Sequence, residues 1–114
     1  MKEDKVYLSH IIQSIDVIET FLKECTKEQF LHNIEKQFAV VRGLEIIGEA
    51  VKNLSSAFRE EHTFIGWRDI AGTRDVLIHA YFSVDVDLVW NIVKKDLPDL
   101  KKEISVIIGK EIHK

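Results

Sequence analysis

The chain has few of the residues that build tight turns and cross-links. Its 114 residues include one cysteine, Cys25, one proline and five glycines. A single cysteine excludes an intrachain disulfide framework and a metal cluster held by several cysteines. So little proline and glycine argues against an all-β protein, which needs many tight turns. The composition therefore favours helices.

Long apolar runs and an excess of one charge are also lacking. No stretch of about 18 apolar residues occurs, so we expect no membrane-spanning helix. The charged residues 1–5 do not resemble a secretory signal, which predicts a cytoplasmic protein. There are 16 basic and 19 acidic residues, a formal net charge of −3. This balance argues against nucleic-acid binding through bulk positive charge.

What is present is typical of one globular domain. The chain is 46% apolar and 31% charged. It contains no repeat and no flexible linker, so a single domain over residues 1–114 is predicted.

Apolar residues recur every three or four positions almost throughout, as in amphipathic helices. The spacing predicts a first helix over about 4–25 and a long second helix over about 27–58. A capping box formed by Thr26 and Gln29 is expected to start the second helix. Its apolar stripe is wider than one small bundle needs, so the pattern fits a homodimer as well as a monomer.

The second half of the chain predicts shorter helices. A loop is expected over 60–66 and a third helix over about 73–80. Ser83 or Asp85 can cap a fourth helix, which Pro98 should kink or restart. The predicted fold class is all-α, a four- to five-helix up-and-down bundle.

The common catalytic and metal-binding motifs are missing from the sequence. It has no glycine-rich phosphate loop, and no two histidines lie three or four residues apart as a helical zinc pair would. Asp85 and Asp87 form an Asp-x-Asp pair, which we interpret as the negatively charged start of a helix. We therefore expect neither a metal nor a cofactor.

One apolar segment, residues 67–81, carries Arg74, His79 and Tyr81. Histidine can move protons near neutral pH, and an arginine fork can hold phosphate oxygens. These types suit phosphodiester cleavage without a metal. From spacing alone, the favoured interpretation is a structural one, in which Arg74 pairs with a carboxylate and the histidine is hydrogen-bonded.

Helical geometry separates these side chains. Arg74 and Tyr81 share a face, whereas His79 lies roughly 140° around an ideal helix from Arg74. Three arrangements stay open: the helix ends near His79, Arg74 reaches across, or two chains share the site.

The pattern Arg74-x4-His79-x-Tyr81 resembles the RX4HXY signature of HEPN-domain proteins, specifically the HepT toxin family. The resemblance covers nearly the whole chain and includes three further matching segments: IGEA at 47–50, WRDIAG at 67–72 and LPDL at 97–100.

The resemblance implies a homodimeric HEPN-like bundle that acts as a metal-independent ribonuclease toxin. His79 would be the acid–base residue and Arg74 the phosphate-binding residue. The partner antitoxin would be a minimal nucleotidyltransferase that transfers AMP to Tyr81. A charged adduct beside Arg74 would occupy the phosphate site.

The sequence departs from the family pattern at Asp75, where the family commonly has asparagine. This carboxylate can pair with Arg74 and weaken its binding of phosphate, or it can orient the His79 ring. The departure leaves the level of nuclease activity open.

Two other functions stay open. The chain can be a non-catalytic partner that presents a nucleotide or substrate to a nucleotidyltransferase, or a purely structural helical dimer. Arg68 and Lys52 are interpreted as solvated surface charges, with contacts to an RNA backbone as the alternative.

Overall fold

The computed structural model describes residues 2–72 and 85–112, and these residues are almost entirely helical, with no strand among them. The helices are α1 (Lys2–Phe21), α2 (Lys27–Leu31), α3 (Ile34–Asn53), α4 (Ser56–Glu61), α5 (67–72), α6 (Val86–Asn91) and α7 (Leu97–Ile112). The all-α prediction is confirmed. The predicted third helix, over about 73–80, lies outside the described residues.

Most of the core comes from the apolar stripes of α1, α3 and α7, and the shorter helices add Phe30, Phe58, Trp67 and Val89. On α1, Leu8, Ile11 and Ile15 are almost fully buried, as the spacing predicts. α1 packs closely along α3 at Gly43, where an added Cβ would lie 2.7 Å from Ile18 Cδ1. The missing side chain at Gly43 therefore allows the close packing of these two helices.

The prediction of one long helix over about 27–58 is wrong, because polar side chains divide this stretch into α2, α3 and α4. The Asn33 side chain accepts a hydrogen bond from the Lys36 amide at 3.0 Å and starts α3 anew. Leu54 is extended at the end of α3, and the Ser55 hydroxyl then caps α4 by accepting from the Phe58 amide at 3.1 Å.

Two other local signals are confirmed. Thr26 and Gln29 form the capping box of α2, with bonds of 3.0 and 3.1 Å. At Pro98 the helix is altered as expected: a π-helical turn over Ile92–Asp96 precedes α7, and the Leu97 amide donates to the Ile92 carbonyl. Since proline lacks an N–H and its ring crowds the carbonyl four residues earlier, the wider turn accommodates it.

α7 is tied to α1 by one lysine. Lys101 Nζ lies 2.6 Å from Asp16 and 3.1 Å from Glu19. Hydrogen bonds to Asp16 and then Glu19 raise the pKa of Lys101 above its ordinary value of 10.5. Because the folded-state pKa is the higher one, this contribution to stability is complete below the ordinary value and is lost as the pH rises through the raised one.

Some large apolar side chains stay exposed on α1 and α3. Val17 and Phe38 are each 60% exposed, and both helices line a groove of about 630 Å³. Within the described residues, no helix has the length and apolar character needed to span a bilayer.

One acidic side chain is buried in this fold. Asp4 is 3% exposed, and its carboxylate accepts from the Ser55 amide at 2.7 Å and from the Ser55 hydroxyl at 2.8 Å. Asp4 therefore fixes the beginning of α1 to the junction of α3 and α4.

Replacing this carboxylate should destabilise the fold. Asp4→Ala leaves two Ser55 donors without their charged acceptor, so we expect the free energy of unfolding to fall by about 2–4 kcal/mol. Urea unfolding followed by circular dichroism measures this. Glu3→Ala, at the exposed neighbouring position, should stay within about 0.5 kcal/mol of the parent. An equal loss in both variants would contradict the role given to Asp4.

Candidate active site

The predicted site residues Arg74, Asp75, His79 and Tyr81 fall in the segment 73–84, outside the described residues. Their roles and mutual distances stay predictions. The structure does describe the helices at both ends of this segment and the surface beside them.

The segment is preceded by α5, whose first residue is anchored in the core. Trp67 is 5% exposed, and its Nε1–H donates to the His62 carbonyl at 3.0 Å. Its ring centroid lies 5.9 Å from that of Phe58 on α4. The Ile70 amide donates to the Gly66 carbonyl, which closes the first turn of α5. The chain therefore approaches the motif from a position fixed by α4.

The segment is followed by α6, which begins at a capping aspartate. The Asp85 carboxylate accepts from the Leu88 amide at 3.1 Å, and Asp87 forms an ion pair with Lys27 at 3.0 Å. The interpretation of this Asp-x-Asp pair as a helix start is confirmed. Within the stretches 2–72 and 85–112, no three histidine, cysteine or acidic side chains cluster as metal ligands would.

A cleft of about 1280 Å³ lies beside the ends of this segment, between α4, α5, α6 and the end of α3. Ile65 and Trp67 contribute apolar surface to it, and its described charged side chains are three basic, Lys52, Arg59 and Arg68, and three acidic, Glu60, Asp69 and Asp96. Because these numbers are equal, the described walls create no strong field of one sign. A substrate anion would therefore be held by a few directed contacts.

Arg59 is a cleft residue that the sequence did not point to. It lies in the last turn of α4 and is half-buried. Its surroundings depend on the break between α3 and α4, which the helical periodicity concealed. A lone arginine after an apolar position looks like any solvated helix residue, so no sequence signal distinguished it.

The profile of the family described as "Ribonuclease HepT-like" matches residues 11–107, most of the chain. The chain belongs to the HepT-like ribonuclease family. The match includes α5, the motif segment 73–84 and α6.

Two relatives of similar length agree with this membership. A protein of Thermococcus cleftensis named "Probable ribonuclease HepT" is 50% identical over 100 residues, covering 88% of this chain and 91% of the relative. A protein of Caldanaerobacter subterraneus subsp. tengcongensis named "Putative RNase" is 43% identical over 111 residues, covering 97% and 99% of the two chains.

A longer relative matches over part of its length. A Methanocaldococcus jannaschii protein named "Gamma-glutamylcyclotransferase and putative RNase" is 49% identical over 107 residues, which are 94% of this chain and 48% of the relative. The HepT-like chain thus spans about half of that protein. No solved structure gave a match.

The anchoring role of Trp67 can be tested by removing its N–H. Trp67→Phe removes the indole donor to the His62 carbonyl, which keeps only its hydrogen bond from the Ile65 amide at 3.2 Å. The smaller ring also leaves space in the core, so we expect a loss of about 1–2 kcal/mol in the free energy of unfolding. Chemical denaturation measures it. Phe64→Leu, at a position 64% exposed, should change stability by less than about 0.5 kcal/mol. An unchanged stability in Trp67→Phe would show that the indole hydrogen bond does not hold α5.

Proposed function

We propose that this HepT-like chain is the toxin of a toxin–antitoxin pair and a metal-independent endoribonuclease. The observation that carries the proposal is Arg74-x4-His79-x-Tyr81 inside the region matched by a ribonuclease family. The cleft beside the anchored ends of this segment supports it, because an RNA strand needs open surface next to the reacting groups.

The proposed reaction is internal transfer at a phosphodiester. His79 accepts the proton of the ribose 2′-hydroxyl, and the 2′-oxygen forms a bond to the adjacent phosphorus. The bond from phosphorus to the 5′-oxygen breaks, and this leaving oxygen takes up a proton. Arg74 stabilises the negative charge that gathers on the phosphate oxygens. The products are a 2′,3′-cyclic phosphate and a free 5′-hydroxyl.

A homodimer is part of the proposal. Arg74 and His79 point in different directions on an ideal helix, so residues from two chains can complete one site. The exposed Val17 and Phe38 support self-association, since monomeric proteins rarely leave large apolar patches uncovered.

Removing the acid–base group tests the enzymatic proposal. His79→Ala should lower the rate of RNA cleavage by about 10²- to 10⁴-fold and abolish growth arrest on expression, with unchanged helicity. Cleavage of labelled RNA, in the presence of a chelator, measures the first effect. His10→Ala, at an exposed position on α1, should cleave like the parent. A His79→Ala variant as toxic as the parent would refute the mechanism.

The proposed control of the toxin is AMP transfer to Tyr81 by a minimal nucleotidyltransferase. After coexpression with that enzyme, we expect intact-mass spectra with one or more adenylyl groups per chain and no RNA cleavage. Tyr81→Phe should gain no adenylyl group at this position. Peptide mapping checks the location, and a modification elsewhere would contradict the role of Tyr81.

A second candidate function is a non-catalytic module that presents a nucleotide or substrate to the nucleotidyltransferase. Asp75 next to Arg74 favours it, because a neighbouring carboxylate can neutralise the phosphate-binding charge. A stable, unmodified complex that cleaves no RNA would support this module and count against the toxin.

A further inference from the structure

Arg59 has a buried hydrogen-bond donor without an acceptor. Its Nε–H is shielded from solvent, and none of the described residues accepts from it. Leaving a buried donor unpaired lowers stability, so native structures contain few such groups. The Nε–H of this guanidinium therefore has no acceptor among the described residues.

A second arginine, by contrast, does have a carboxylate partner. Arg42 on α3 donates to Glu45 at 3.3 Å, three residues along the same helix. Arg59 and Arg68, which both line the cleft, form no comparable ion pair with the residues in 2–72 and 85–112. Among the described arginines, the two without a carboxylate partner thus line the cleft.

The charges that line the cleft indicate which kind of anion the Arg59 guanidinium can bind. With equal numbers of described basic and acidic side chains, the walls do not attract anions broadly. A guanidinium can still bind one anion tightly, because its planar fork of N–H groups matches two phosphate or carboxylate oxygens. A backbone phosphate of a single RNA strand presents such oxygens at regular intervals.

We propose that Arg59, with Arg68 beside it in the same cleft, binds the RNA backbone next to the scissile phosphodiester. This inference rests on the proposed ribonuclease function and deepens it by naming the residues that hold the strand. Arg59 acts as a binding residue and positions the RNA for His79.

The experiment measures RNA binding separately from cleavage. The full-length chain with His79→Ala is titrated against a short fluorescein-labelled single-stranded RNA, and anisotropy is recorded at several salt concentrations. Arg59→Gln in this background should weaken binding about tenfold or more, as expected for losing a charged hydrogen-bond donor. The slope of log K against log salt should decrease by about 0.7, one phosphate contact on a single strand.

Matched variants separate a specific contact from a general loss of charge. Arg42→Gln removes the same charge outside the cleft and should bind RNA within about twofold of the background protein. Arg59→Lys keeps the charge but lacks the planar fork of N–H groups. Its RNA affinity should therefore lie between those of the background protein and Arg59→Gln, and its salt slope should equal that of the background protein. This variant also decides the question if Arg59→Gln does not fold.

The melting temperature distinguishes a binding role of Arg59 from a structural role. Only a structural role predicts a large loss of stability on substitution. A substrate-binding Arg59 should be replaceable by glutamine with unchanged or higher melting temperature, because a buried unpaired donor is removed. A large drop in melting temperature with unchanged RNA affinity would overturn the proposal and make Arg59 a structural residue.

The outcomes distinguish a failure of the role given to Arg59 from a failure of the proposed ribonuclease function. If the background protein binds RNA and Arg59→Gln binds it equally well, the role of Arg59 is refuted while the ribonuclease proposal stands. If the background protein binds no RNA and the parent cleaves none, both fail. If Arg59→Gln loses binding to a coexpressed nucleotidyltransferase but keeps its RNA affinity, the cleft is a protein interface instead.

Discussion

The buried carboxylate of Asp4 is the constraint on which the geometry beside the motif depends. It accepts two hydrogen bonds from Ser55, 51 residues away, and Ser55 in turn caps α4. A charge so far from water must keep its partners, because burying it unpaired costs several kcal/mol. The start of α1 is therefore held against the junction where α3 ends and α4 begins.

Contacts between aromatic rings position the start of α5 relative to α4. Phe58 on α4 packs against His62 and Trp67, with ring centroids 4.5 and 5.9 Å away. The Trp67 indole also binds the His62 carbonyl. Since α5 begins at Trp67, the approach to the motif segment follows from the position of α4. Arg59 lies on the same short helix, so one set of contacts places both the cleft wall and the start of α5.

The features predicted correctly from the sequence are those whose partners lie close along the chain. Thr26 and Gln29, or Asp85 and the Leu88 amide, are three residues apart, and helical spacing alone brings them together. The breaks at Asn33 and Ser55 were missed because the apolar spacing continues across them into the same core. The pairing of Asp4 with Ser55 could not be predicted, since no local pattern relates residues so far apart.

The candidate site residues also differ in whether the sequence alone could reveal them. Arg74, His79 and Tyr81 were recognised by resemblance to a motif, which is a property of the sequence and stays a prediction for their geometry. Arg59 could be found only from its burial and its lack of an acceptor, which are properties of the packed structure. A chain with a net charge of −3 cannot attract RNA by its overall field. If it acts on RNA, local contacts must replace attraction by overall charge, so the positions of individual basic side chains matter more than their total number.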